Sequence, residues 1–320
     1  MTLGGYARAS DTGKKRRRNE DSYVVAPPLF AVADGMGGAQ AGEVASKLAA
    51  AALEDTDSGS SSGQERVVAL IQEANRRVYA RANTDPATSG MGTTMTVALV
   101  EGQVVTIGHV GDSRAYLVRA GSLEQLTEDH SLVNELLKTG KLSREEAETH
   151  PQRSVITRAL GTDPDVDVDT FSVRAENGDL FLLCSDGLTD MVSEQAILDV
   201  VERNRDDIDG ALRALVKEAN RSGGQDNITV VAFEIADVAP ASDGDTREQA
   251  LPAALADDED TLTEADAVPT VDTGVVSVEE IRAEGKASRR RHLRRRLLAW
   301  LAIVLLVAAV AVLVYLRFVR

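Results

Sequence analysis

The chain has 320 residues, is 43% apolar with only 3% aromatics, and carries 35 basic and 51 acidic side chains for a net charge of −16. That length accommodates one or two domains with a full core, and the acidity excludes a general nucleic-acid binder. The single cysteine, Cys184, excludes an intramolecular disulfide framework and a cysteine-rich zinc site and suits a reducing cytosol.

In chain order, apolar or β-branched runs bounded by Gly, Asp and Asn predict strands, and 3.6-residue periodicity predicts helices. A strand at 30–33 precedes helices over 42–53 and 65–82, separated by a flexible loop at 59–63. Strands follow at 93–100, 104–109 and 115–118, then helices over 132–139 and 143–148. Strands at 166–173 and 180–184 lead to helices over 194–204, with Ser193 as its N-cap, and 208–222, and a last strand covers 228–235. Short Gly/Asp turns between strands indicate antiparallel pairing, and the helices fall in pairs between strand groups. The expected class is a layered α+β domain over residues 1–236, not a doubly wound parallel sheet.

Charge divides the rest. Residues 1–236 hold 24 basic and 37 acidic side chains, residues 237–285 hold 2 and 14, and residues 286–320 hold 9 and none. The stretch 237–288 has few large apolar residues and high net charge, so it is expected to be a disordered acidic linker, with a short helix at 275–281 at most. A basic cluster at 289–296 precedes twenty uncharged residues, LLAWLAIVLLVAAVAVLVYL at 297–316. A helix of that length rises roughly 30 Å, the thickness of a hydrocarbon core, so a transmembrane helix is expected. Trp300 and Tyr315 sit near its ends, and cations are concentrated before it, with only Arg317 and Arg320 after it. The positive-inside rule then gives a single-pass cell-membrane protein with a cytoplasmic domain, lipid contact by the basic cluster, and a short outer tail at 317–320. Residues 1–18 lack the apolar core of a signal peptide.

The chemistry lies in acidic residues at strand ends. Four sites share one design: Asn19-Glu20-Asp21, Ala33-Asp34-Gly35-Met36-Gly37-Gly38, Ser185-Asp186-Gly187 and Gln225-Asp226-Asn227. One Asp-Gly is an ordinary solvated turn. Four such sites with a Gly-rich loop point to converging carboxylates, which need a cation to compensate them. Oxygen-only ligation selects Mg²⁺ or Mn²⁺ over zinc.

These motifs resemble the metal-dependent Ser/Thr protein phosphatases of type 2C, in particular the bacterial membrane-anchored members. The matching elements run in order through Arg16-x-x-Asn19-Glu20-Asp21, Asp34-Gly35-Met36-Gly37-Gly38, Gly42-Glu43, Gly90-Met91-Gly92-Thr93-Thr94, Gly108-His109-Val110-Gly111-Asp112-Ser113-Arg114, Asp129-His130-Ser131, His150-Pro151-Gln152-Arg153, Ser185-Asp186-Gly187-Leu188 and Asp226-Asn227-Ile228-Thr229. The resemblance implies an α-β-β-α sandwich with two central antiparallel sheets. It implies two Mn²⁺ or Mg²⁺ ions: Asp34 bridging them, the Gly35 carbonyl on one, Asp186 and Asp226 completing one shell, and Glu20 and Asp21 serving the second ion and bound waters. Asp112, read alone as a turn residue, would share a weaker third ion with Asp186. Arg16 would clamp the substrate phosphate, the run at 14–18 leaving Arg17 as the alternative. The implied reaction is hydrolysis of phosphoserine and phosphothreonine by a metal-activated water, with transmembrane Ser/Thr kinases and their substrates as partners. Met36 stands where some members carry a His proposed as general acid, and Met36 donates no proton. The competing readings are a tethered binding module that has lost catalysis, against which the retained Asp34, Asp186 and Asp226 argue, and a phosphatase dedicated to an anti-sigma-factor antagonist, whose usual sensor domains are not evident. A Cys-dependent phosphatase needs Arg six residues after its Cys, where this chain has Asp190.

Overall fold

The computed structural model describes residues 2–37, 41–55, 62–143, 146–147 and 150–236. The strands are β1 (Thr2–Asp11), β2 (Asp21–Ala26), β3 (Leu29–Met36), β4 (Gly92–Thr93), β5 (Met95–Glu101), β6 (Val104–Val110), β7 (Arg114–Arg119), β8 (Ser122–Gln125), β9 (Asp169–Arg174), β10 (Leu180–Cys184) and β11 (Ile228–Ala236). The helices are α1 (Ala41–Asp55), α2 (Gly63–Thr84), α3 (Leu132–Lys138), the one-turn α4 (Asp186–Thr189), α5 (Glu194–Arg203) and α6 (Ile208–Arg221). One sheet runs β1-β11-β10-β7-β8 and the other β2-β3-β5-β6-β9, with β4 on β3, and every pairing is antiparallel.

Alternation along the central strands builds three apolar layers. Phe30 and Val32 of β3, Phe181 and Leu183 of β10, and Val231 and Phe233 of β11 fill the space between the sheets. Their neighbours Ala31 and Ala33 face the small-residue surface of α1 and α2, through Ala45, Ala49, Ala74 and Val78. Leu180, Leu182, Val230 and Ala232 face α5 and α6 through Ile197, Val201, Leu212 and Leu215. Strands buried on both faces read as unbroken apolar runs, which is why they were legible. The expected α-β-β-α sandwich is therefore present. Phe233 stacks on Phe30 at 4.3 Å and on Phe181 at 5.2 Å between ring centroids, tying the two sheets together at their middle.

Several boundaries differ from the expectation. The strand expected at 93–100 is broken at Thr94, whose N–H turns to the Asp34 carbonyl. The strand expected from 166 begins at Asp169, and β1, β2 and β8 were not expected at all. Ser193 does cap α5, accepting from Ala196 N at 3.4 Å. The loop at 59–63 and the helix at 143–148 lie partly outside the described residues. The linker, basic cluster, apolar segment and tail over 237–320 lie wholly outside them. Among the described residues, no helix is long and apolar enough to cross a membrane.

Candidate active site

The face of β3 that carries Phe30 and Val32 into the inter-sheet layer carries Asp34 at its end. The layer turns polar there. Ser185 follows β10, and its Oγ donates to Asp21 Oδ2 at 2.8 Å and accepts from Thr229 N at 3.0 Å. Asn227 precedes β11, and its side chain accepts from Glu20 N at 2.7 Å and donates to the carbonyls of Arg18 at 2.8 Å and Thr12 at 2.9 Å. This polar end opens into a cleft of about 530 Å³, whose lining includes Arg16, Glu20, Asp34, Gly35, Met36, Asp112, Arg153, Asp186, Asp190 and Asp226.

Each carboxylate is held by its backbone. Asp34 N donates to Thr94 Oγ1, and the Asp34 carbonyl accepts from Thr94 N and Thr93 Oγ1, all within 2.8–2.9 Å. Thr94 Oγ1 lies 2.8 Å from Ser113 Oγ, joining Asp34 to the turn of Asp112. On the other side of that turn, His130 Nδ1 accepts from Gly111 N at 3.0 Å, and Gly111 has φ +113°, a conformation that glycine tolerates. Asp186 opens α4, while Asp226 Oδ1 accepts from Asn227 N at 2.8 Å. The close approach needs small residues. A Cβ on Gly187 would lie 2.0 Å from the Asn227 carbonyl oxygen, and one on Gly35 would lie 2.1 Å from that of Gly42.

The electrostatics are those of crowded like charges. Burial, then repulsion from Asp21, Asp186, Asp112 and Asp226, pushes the Asp34 carboxyl well above the usual carboxylate range. Asp186 is raised in the same way by burial and by Asp112, Asp226, Asp190 and Asp21. Asp112 is pushed up to about 7 by burial and by Asp129. Asp21 rises to about 6 because burial outweighs the hydrogen bonds it receives. Burial also raises Glu20 against the opposing pull of Arg16. Arg16 Nη2 donates to Asp226 Oδ2 at 2.6 Å, which holds the guanidinium above its ordinary value although burial opposes it.

A divalent cation fits this donor set. Oδ1 of Asp186 is buried with no hydrogen-bond partner among the described residues, and the cleft presents carboxylates in excess of its cations. Among the described residues, no three His, Cys, Asp or Glu side chains are already drawn around one point. Residues that would hold the ions from the cleft wall are Asp34, Gly35, Glu20, Asp186 and Asp226, with Asp112 beside Asp186.

The structure thus gathers Arg16, Glu20, Asp34, Gly35, Asp112, Asp186 and Asp226 on one cleft and places Asp21 a layer behind, buried against Ser185. Arg16, rather than Arg17, lines the cleft. Sequence reasoning gave no role to Asn227, Ser185, Thr94, Arg153 or Asp190. Asp190 was accessible to it, standing four residues after Asp186 and so on the same side of a helical turn.

Residues 14–222 match the family model described as protein phosphatase 2C. The chain belongs to that family. It is 42% identical over 236 residues to the serine/threonine phosphatase stp of Listeria welshimeri, an alignment covering 70% of this chain and 93% of that protein. It is also 42% identical over 260 residues to the serine/threonine protein phosphatase PstP of Mycobacterium tuberculosis, covering 81% of this chain but only 49% of PstP. Among solved structures, the M. tuberculosis serine/threonine phosphatase PstP/Ppp matches with a TM-score of 0.70 and 40% identity, covering 74% of this chain and 100% of that one. The PstP catalytic domain in complex with two manganese ions matches with a TM-score of 0.67 and 39% identity, covering 73% and 99%. This protein phosphatase 2C is a metal-dependent hydrolase that acts on phosphorylated serine and threonine in proteins, with a divalent cation as cofactor.

Proposed function

We propose that this phosphatase uses two Mn²⁺ or Mg²⁺ ions held by Asp34, Gly35, Glu20, Asp186 and Asp226, with a weaker third site at Asp112 and Asp186, and that it works at the membrane against transmembrane Ser/Thr kinases and their substrates. The observation that carries the catalytic part is the single cleft shared by these carboxylates and Arg16. When bound, the ions supply positive charge for the phosphate oxygens and activation of the attacking water. Arg16 presents a fork of N–H donors suited to a tetrahedral oxyanion, and its one bond to Asp226 leaves further donors for phosphate. Ser185 and Asn227 fix Asp21, Glu20 and the Arg16 loop, so that little reorganisation is needed when charge develops. Met36, on the cleft wall, offers no proton, so the leaving oxygen takes its proton from water or departs with less assistance.

The cellular part rests on the apolar segment 297–316 and the preceding cations. Tethering to the bilayer raises the effective concentration of substrates in the same membrane. The test compares cells making the full chain with cells making residues 1–236 at equal abundance. Membrane fractionation of the full chain alone and slower dephosphorylation of a membrane kinase by the fragment support the reading. Equal fractionation, or equal kinase phosphorylation, refutes the anchor or its role in substrate choice.

A further inference from the structure

The loop that delivers Arg16 to the cleft carries five consecutive cations, Lys14, Lys15, Arg16, Arg17 and Arg18, all exposed. Arg16 is engaged by Asp226 and Arg18 faces Glu43 at 3.7 Å. The side chains of Lys14, Lys15 and Arg17 have no acidic partner among the described residues. Among the described residues most cations sit beside an anion, so unpaired side chains flanking Arg16, which itself lines the cleft, call for an external counter-charge.

The run is fixed relative to the cleft. Lys14 N and Lys15 N both donate to the Gly224 carbonyl, at 2.7 and 3.2 Å. Asn227 binds the carbonyls at both ends of the loop, those of Thr12 and Arg18. At Gly13, φ is +75°, and a Cβ there would stand 2.1 Å from the Asp226 carbonyl oxygen, so the loop is pressed onto the residue that also engages Arg16. The backbone of the run is therefore held in place beside Arg16 and Asp226 on the cleft.

We propose that Lys14, Lys15 and Arg17 form a substrate-docking rim that selects phosphorylated segments with further anionic groups, carboxylate or a second phosphate, next to the phosphoresidue. This rests on the phosphatase reading and narrows its substrate class. The spacing fits. Successive loop residues are about 3.8 Å apart at Cα, and an extended peptide advances about 3.3 Å per residue. Lys14 and Lys15 lie in a turn and Arg17 in a bend, so all three Cα atoms stand within about 8 Å of that of Arg16, a distance an extended peptide covers in about two to three residues. Screening limits the effect to that range, since the Debye length is about 8 Å at physiological ionic strength. Inside the cleft the two cations are already paired, Arg16 with Asp226 and Arg153 with Asp190, among an excess of carboxylates, so the unpaired cations beside Arg16 are the ones left for anionic flanks.

The test uses the full chain loaded with Mn²⁺ and three phosphothreonine peptides of equal length, flanked by Ala, by Asp, or by a second phosphothreonine. Wild type is compared with the triple variant Lys14→Ser, Lys15→Ser, Arg17→Ser. Exposed charge pairs each contribute modestly, so three together give a preference on the order of 10-fold in kcat/KM for the anionic peptides, carried by KM. The variant loses that preference while keeping its rate on p-nitrophenyl phosphate, and the wild-type preference collapses at high salt. Anisotropy with peptides carrying a non-hydrolysable phosphonate reads the same affinities without turnover, so the rim is judged there even if the phosphatase reading fails on the Ala-flanked peptide. A wild type that does not discriminate, or a variant that still does, overturns the proposal. So does a variant that loses only binding to phosphatidylserine vesicles, which would give the run to lipid. A gain for the doubly phosphorylated peptide alone, absent in the variant, supports the rim with phosphate as its counter-charge.

Discussion

Phe30 and Asp34 lie on the same face of β3, one in the apolar layer between the sheets and the other on the catalytic cleft. The first is fully buried among Phe233, Phe181 and their neighbours, and each such side chain stabilises the fold by about 1.5–3 kcal/mol. The second is driven toward its protonated form by burial and by four other aspartates. The middle of the sandwich thus supplies the stability that its acidic end consumes, and the polar side chains between them, Ser185, Thr229 and Asn227, form the boundary.

The comparison breaks most visibly at the middle. Phe233→Ala removes the ring that stacks on both Phe30 and Phe181, and is expected to cost about 3–5 kcal/mol in chemical denaturation. A cost under about 1 kcal/mol would mean that the inter-sheet layer does not hold the sandwich together. At the acidic end the opposite sign is expected. Asp34→Asn keeps the shape, lowers turnover on a phosphothreonine peptide by about 10²–10³-fold, and leaves the metal-free protein as stable or more so, because one repelling charge is gone. Wild-type turnover in Asp34→Asn at saturating Mn²⁺ would remove Asp34 from the chemistry.

Much of this division was legible beforehand. Asp34, Asp186 and Asp226 adjoin both a glycine or turn and an apolar strand, and that contrast survives in a bare sequence. The doubly buried strands were equally plain. β1 was not, because TLGGYARASD mixes small and polar residues, lies at a sheet edge and shifts register between Leu3 and Tyr6. The Arg16-x-x-Asn19 spacing favoured Arg16 over Arg17, and its place on the cleft wall separates the two. Asn227 gave no signal of its work, since the backbone groups it binds are more than 200 positions away.

The pH dependence sharpens the same contrast. Asp21 and Asp112 titrate near 6 and 7 in the folded chain, against about 4 unfolded. Between those values the folded state holds more protons, so metal-free stability falls as pH rises, and Asp34 and Asp186, raised in the same direction, add to the fall. Thermal melts in EDTA should therefore show a falling midpoint from about pH 4 through pH 7. Mn²⁺ at a hundredfold excess over its Kd should restore about 2.7 kcal/mol for each ion bound at neutral pH and less in acid, where protons compete. A metal-free midpoint that rises over this range would contradict the crowding of the cleft.

The smallest effect belongs to the boundary itself. Asn227→Ala removes one acceptor for Glu20 N and two donors, to Thr12 and Arg18, without touching a carboxylate or the apolar layer. The loop keeps the bonds from Lys14 N and Lys15 N to the Gly224 carbonyl, from Asn19 to Ser10 and from Arg16 to Asp226, so it stays attached but is held less firmly at its two ends. Arg16 then meets the phosphate less well aligned, and about a 10-fold rise in KM is expected, equivalent to about 1.4 kcal/mol of binding. The rate constant at saturation should change less, because the carboxylates hold their positions through Thr93, Thr94 and Ser185. Asn227→Asp is the control. It keeps the acceptor for Glu20 N, loses the two donors and adds a charge, so it should raise KM at least as far. If Asn227→Ala lowers kcat as much as Asp34→Asn does, Asn227 acts on the reacting groups and not on the loop, and the boundary between the two regions has been drawn one residue too early.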